Sequence, residues 1–159
     1  SGHAENTLIV YIGDHGAQFS RGKCSVYEAG LRIPMIVRWP GKTSAGTASP
    51  HASAFWDYLP TACDLAGIEP PKDIDGISYL PEIIGTEQPR HDYLYWRFNG
   101  NNHDKEAVRI GNLKAVRPAA GSAIELYDLS DDIGEQNDIA GNHSEVIEKI
   151  KNILLEAKQ

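Results

Sequence analysis

Asn6-Thr-Leu-Ile-Val-Tyr-Ile-Gly-Asp-His-Gly16 is the stretch from which the rest of the chain is read. Its apolar run, Leu8 to Ile12, is rich in β-branched residues and has no polar face. A run that is apolar on both sides and ends in Gly-Asp predicts a buried strand within a parallel sheet. In open α/β sheets, ligands bind beyond the carboxyl ends of such strands. Asp14 and His15, which stand at that end, are the first candidates for chemistry. They offer a carboxylate oxygen and an imidazole nitrogen, both metal-ligand types, and the flanking glycines allow a tight turn. The four residues Gly13 to Gly16 are equally compatible with simple turn hydrogen bonding.

Further along, Met35-Ile-Val-Arg38 is a second β-type run, and Gly41 to Pro50 a polar surface loop. Asp57 to Gly67 predicts a helix, with Asp57 as cap, Pro60 in the first turn and Gly67 just past the end. Leu59, Ala62, Cys63 and Ala66 would form its buried face. After about Pro89 the pattern changes to short β candidates at Tyr93–Phe98, Ala107–Ile110, Leu113–Val116 and Ile124–Tyr127. Gly111-Asn112 is a two-residue hairpin turn between the middle pair. This spacing predicts a small antiparallel sheet. Asn142-His-Ser-Glu145 has the form of a capping box, followed by an apolar stripe of Val146, Ile150, Ile153, Leu154 and Ala157. That helix is expected to pack on the sheet.

The chain has 159 residues, with 15 Lys+Arg against 22 Asp+Glu, a net charge of −7 and a pI near 5.3. The acidic balance argues against a nucleic-acid partner, which requires a basic face. No apolar run reaches the ~20 residues of a membrane-spanning helix. Cys24 and Cys63 are too few for a disulfide framework and lack metal-type spacing. The acidic run Asp128, Asp131, Asp132, Glu135, Asp138 lacks EF-hand spacing and is expected to be a solvated turn. Glu28 and Arg32, at i and i+4, would pair on a helix. Lys23, between Gly22 and Cys24, could set an ammonium against an anionic substrate, although a lone lysine is commonly a solvated charge.

Taken together, the stretch from Asn6 to Gly16, Gly22-Lys23, Tyr27-Glu-Ala-Gly-Leu-Arg-Ile-Pro34 and Val37-Arg-Trp-Pro-Gly41 resemble the sulfatase family. The resemblance runs on in order through Asp57-Tyr-Leu-Pro-Thr61, Leu65-Ala-Gly-Ile68, Asp75-Gly-Ile-Ser78, Tyr93-Leu-Tyr-Trp96 and Ala107-Val-Arg109. It ends with Glu125-Leu-Tyr-Asp-Leu129, Glu135 and Asn137. It implies an α/β fold: residues 1–89 as the C-terminal part of an alkaline-phosphatase-like α/β/α core, and residues 90–159 as a subdomain of antiparallel strands with a C-terminal helix.

The resemblance also implies roles. Asp14 and His15 fall on two ligands of a divalent metal, calcium in most of the family, where many members carry Asn in place of His15. Lys23 matches the lysine that contacts the sulfate and its bridging oxygen. Trp96, Arg97, Asn99, Asn102 and His103 lie in a region that often lines the substrate pocket, where Trp96, Arg97 and His103 could bind a sugar by stacking and hydrogen bonding. A surface turn with a core tryptophan is the stronger competing reading.

The family nucleophile, a formylglycine made from Cys or Ser in a C/S-x-P-S-R motif, has no counterpart here. The expected protein is thus the C-terminal part of a sulfatase acting on a sulfated glycan or small molecule, inactive without its N-terminal part. The resemblance favours a periplasmic or secreted setting. A truncated core is also expected to expose a sheet edge and to self-associate. Two alternatives are a phosphoesterase or phosphonate hydrolase of the same superfamily, and a non-catalytic module that binds sulfated glycans.

Overall fold

A computed structural model describes residues 2–100 and 103–157, the side chain of His103 excepted. The chain forms two compact units. One combines the chain up to Ile12 with Met35–His91; the other combines Gly13–Pro34 with the chain from Asp92 onward. Residues 13–34, early in the sequence, thus belong structurally with the late strands.

In the first unit, β1 (Ile9–Ile12) pairs with β2 (Met35–Arg38). The pairing is antiparallel, with Tyr11 opposite Ile36 and Ile12 opposite Met35. This corrects the expectation of a parallel sheet. The intervening excursion closes on itself, Gly13 N donating to Pro34 O at 3.1 Å, so the chain re-enters beside its point of departure. Re-entry at the same end dictates an antiparallel neighbour, whereas a parallel one needs a crossover. The strand is not buried either, for Tyr11 and Ile36 are 65% and 61% exposed.

α2 (Tyr58–Ala66) follows a short 3₁₀ turn and ends at Gly67, as its sequence predicts. Its buried residues are Pro60, Thr61 and Cys63, while Leu59 and Ala66 of the expected face are exposed. Asp57 does not cap the helix with its side chain. Its carboxylate, fully buried, accepts hydrogen bonds from Ala54 N (2.7 Å) and Ile77 N (2.9 Å) and lies 2.8 Å from His91 Nε2. With three partners, this carboxylate joins turn, loop and histidine into one knot. α3 (Leu80–Ile84) is tied down by Gln88, whose Oε1 accepts from Glu82 N.

The second unit is built on a four-stranded antiparallel meander: β3 (Leu94–Gly100), β4 (His103–Ile110), β5 (Leu113–Arg117) and β6 (Glu125–Asp128). All four expected strands are present. Ile110 faces Leu113 across the two-residue turn, and Gly111 has φ 58°. A positive φ at the first central position is the type II′ arrangement, which suits the strand twist and favours glycine there.

Both sheet faces are covered. On one, Val108, Ala115 and Leu126 meet Ile150, Ile153 and Leu154 of α4 (Ser144–Glu156), as the apolar stripe requires. Asn142 is not the cap of α4, since it lies in a 3₁₀ turn (Ala140–Asn142) and His143 occupies the cap position without a side-chain bond. On the other face, Ala107, Val116 and Tyr127 meet Val26 and Tyr27, with Leu31, Trp96 and Phe98 packed at the margin. The excursion carrying the candidate chemistry therefore rests on the meander.

Candidate functional site

Asp14, His15 and Lys23 all lie in the Gly13–Pro34 excursion, whose path depends on backbone-to-backbone approach. Gly16 N donates to Gly30 O at 2.9 Å, and a Cβ on Gly16 would come within 1.7 Å of the Ala29 carbonyl oxygen. A Cβ on Gly22 would lie 1.9 Å from Ala17 O. Only glycine admits such contacts. The loop is cross-tied at its middle, Lys23 N donating to Ala17 O at 3.0 Å.

Beneath it lies a buried ionic cluster. Lys114 on β5 is completely buried, with Nζ 2.8 Å from Glu28 Oε1 and 3.1 Å from Glu135 Oε1. Glu28 opens α1 (Glu28–Leu31) and pairs with Lys114, not with Arg32 as its spacing suggests. Glu135 Oε2 accepts from Glu28 N at 2.6 Å, while its Oε1 has charge contact with Lys114 but no hydrogen-bond geometry. Burial pushes the Glu135 carboxyl above the ordinary range, against the opposing pull of Lys114 and the Glu28 amide. Glu135 is therefore not in a solvated turn. The rest of the acidic run organises backbone: Asp132 accepts from Gln136 N and Asn137 N, and Asp138 from Leu126 N.

Beside the cluster, Glu125 Oε2 accepts from the hydroxyls of both Tyr27 and Tyr127, whose ring centroids are 6.4 Å apart. Burial, then the hydrogen bond to Glu125, pushes the Tyr27 phenol up to about 12. These two attachments, one ionic and one phenolic, fix the excursion to the sheet.

Asp14 and His15 are left at the surface, their side chains 87% and 39% exposed. His15 Nδ1 lies 2.8 Å from Gly16 O, and His15 Nε2 lies 3.4 Å from Asp14 Oδ2. A carbonyl only accepts, so the Gly16 contact places an N–H on Nδ1 and turns Nε2 toward the Asp14 carboxylate. A backbone carbonyl orienting the far nitrogen in this way is the usual outer support of a metal-bound histidine. The pair therefore suits a cation, but as two ligands only. Among the described residues, no group of three or more His, Cys, Asp or Glu is arranged to hold a metal.

The other sequence candidates lie on the meander. Trp96 packs at the margin of the buried cluster of Val26, Tyr27 and Ala107. Arg97 is engaged by two bonds to Asp104 across the β3–β4 pair, at 2.7 and 2.9 Å. Asn102 and the His103 side chain lie outside the described residues. The sequence assigned no site role to Arg21, Lys105, Lys114 or Glu125, and placed Glu135 in a solvated turn. The one signal for Lys114 was a lysine inside an otherwise apolar strand pattern, Leu113-Lys-Ala-Val116.

Against this geometry, residues 13–159 match the family described as N-sulphoglucosamine sulphohydrolase, C-terminal. The chain belongs to the sulfatases. It is 30% identical to an ulvan-active sulfatase of Formosa agariphila, over 87% of this chain and 34% of that protein. It is 31% identical to an N-acetylglucosamine-6-O-sulfatase of Bacteroides thetaiotaomicron, over 96% of this chain and 30% of that protein. Among solved structures it resembles one in complex with its substrate D-glucosamine-2-N,6-O-disulfate, with a TM-score of 0.84 and 27% identity. That likeness covers 99% of this chain and 35% of the other. The fold is that of the alkaline-phosphatase-like sulfatases, and the chain corresponds to their C-terminal portion, about a third of their length.

Proposed function

We propose that this chain is the C-terminal part of a metal-dependent sulfatase that hydrolyses the sulfate esters or N-sulfo groups of a glycan. The observation that carries the reading is the Asp14–His15 pair. In a chain of this family it presents a carboxylate and an imidazole nitrogen side by side, with the ring oriented by Gly16 O.

A divalent cation, calcium by family resemblance, would polarise the sulfate oxygens when bound. Asp14 would supply negative charge to it, and His15 a neutral donor whose ring is held by the backbone. Two protein ligands are few for a hard cation that takes six or more oxygens, so the remaining ligands come from elsewhere in the enzyme. Lys23 would place a permanent positive charge near the bridging oxygen, opposing the negative charge that grows there as the S–O bond breaks. The nucleophile, formylglycine in this family, would also come from outside these residues. The homologues' names support a glycan substrate: one acts on ulvan and another is named for N-acetylglucosamine 6-O-sulfate. A periplasmic or extracellular setting would suit such a polymer, and among the described residues no helix is long and apolar enough to cross a membrane.

The test is turnover of a sulfated sugar by the enzyme in which this chain is joined to a sulfatase N-terminal portion. Lys23→Ala should lower kcat by roughly 10²–10³-fold, and normal turnover in that variant would refute the role given to Lys23. Titration of the 159-residue chain alone with Ca²⁺ should give weak binding. Micromolar binding of both Ca²⁺ and a sulfated sugar would instead mark a self-sufficient binding module.

A further inference from the structure

We propose that Arg21 and Lys105 are positioning residues that set the backbone of the turn carrying Lys23; this rests on the sulfatase reading of Lys23 given above. The described residues include four non-glycine positions with positive φ: Arg21 (61°), Cys24 (65°), Asp73 (61°) and Glu135 (52°). Two of them, Arg21 and Cys24, bracket the Gly22-Lys23 step, and a third, Glu135, is bonded to the first. Left-handed backbone is disfavoured for any residue with a Cβ, because that atom crowds the following carbonyl. It persists where surrounding contacts over-determine it, and such positions cluster at functional sites.

The contacts that do so here are specific. Arg21 Nη1 donates to Glu135 O at 2.6 Å, and its guanidinium lies 4.2 Å from the centroid of the Tyr27 ring. On the other side, Lys105 Nζ donates to Cys24 O at 3.0 Å and sits 5.6 Å from the Phe98 ring centroid. Each cation thus combines a backbone carbonyl with an aromatic face, an interaction that favours positive charge over the ring. Each holds one of the two left-handed residues. Between them the tight loop bonds Gly22 N to Phe19 O and Lys23 N to Ala17 O complete the turn.

Glu135 links this arrangement to the ionic cluster: its carbonyl receives Arg21 while its carboxylate meets Lys114 and the Glu28 amide. The Lys23 backbone is therefore set from the sheet, through β4 on one flank and the Glu135 turn on the other. Fixing the backbone at Lys23 restricts where its ammonium can reach, which lessens the reorganisation needed when charge develops on the substrate.

Two measurements test the proposal on different ground. In the 159-residue chain, amide hydrogen exchange at Gly22 and Lys23 should quicken by roughly tenfold or more in Lys105→Met and in Arg21→Met. Protection at Ala115 and Val116 in β5 should be unchanged, showing that the sheet is intact. In the joined enzyme, the same variants should lower kcat by about ten- to a hundredfold, with Lys105→Arg recovering most of the loss. Unchanged exchange at Gly22 and Lys23 would overturn the clamp. Faster exchange with undiminished kcat, or no rescue by Lys105→Arg, would overturn the positioning role. An unsubstituted joined enzyme without sulfatase turnover would remove the role of Lys23 itself, while the exchange result would still decide whether the clamp exists.

Discussion

Replacing Lys114 by Met would leave Glu28 and Glu135 facing each other without a cation, at a place closed to water. Breaking a buried pair by removing one partner costs about 3–5 kcal/mol, so Lys114→Met should lower the urea midpoint of the second unit accordingly. The triple variant Lys114→Met/Glu28→Gln/Glu135→Gln should recover part of that loss, because no uncompensated charge then remains. Glu135 adds a pH signature. Its carboxyl binds a proton more tightly folded than unfolded, so its contribution to stability is complete below the ordinary glutamate range and is lost as pH rises through its elevated folded value. Glu135→Gln should flatten that part of the profile, as seen in thermal melts at successive pH values. None of this could be read from the sequence. Spacing suggested Arg32 as the partner of Glu28, and the true partner is 86 residues away. That the Asp14 and His15 side chains lie beside each other was legible, because sequence neighbours on one tight turn share a location whatever else folds around them.

At the scale of elements, periodicity predicted well where one face meets the core and the other meets water. The meander and α4 follow their alternation and stripe closely. A clean contrast tests the α4 packing: Ile150→Ala should cost about 2–5 kcal/mol, whereas Leu155→Ala, at a residue 65% exposed, should stay within about 0.5 kcal/mol. Chemical denaturation of both variants decides it. Periodicity failed for β1, where a run apolar on both faces gives no direction to its neighbour. The direction came from the closing contact between Gly13 and Pro34, which hydropathy does not record. Caps failed for a related reason. Asp57 and Asn142 have the right side chains at helix starts, but the backbone amides of Ala54 and Ile77 claim the first and a 3₁₀ turn takes the second.

For the molecule as a whole, apolar exposure is unevenly shared. Ile9, Tyr11, Ile12, Met35, Ile36, Phe55, Tyr58, Leu59, Leu65, Ile68 and Ile84 all belong to the first unit, where the two-stranded sheet has no further strand on either edge among the described residues. Two strands with open edges are marginal alone and invite pairing. The 159-residue chain should therefore show concentration-dependent self-association in sedimentation velocity. Tyr11→Lys with Ile36→Glu, which places opposite charges at directly facing positions, should reduce it. A monomer at all concentrations would contradict this reading of the surface.

The second unit joins distant parts of the chain, and that has a consequence for its birth on the ribosome. Tyr27 precedes its carboxylate partner Glu125 by 98 residues. At translation speeds of about 5–20 residues per second, that segment must wait roughly 5–20 s before its platform has been made. Until the strands that cover them are made, Val26, Tyr27 and Leu31 lack the sheet face on which they pack, so a holding chaperone would find its target here before the last helix emerges.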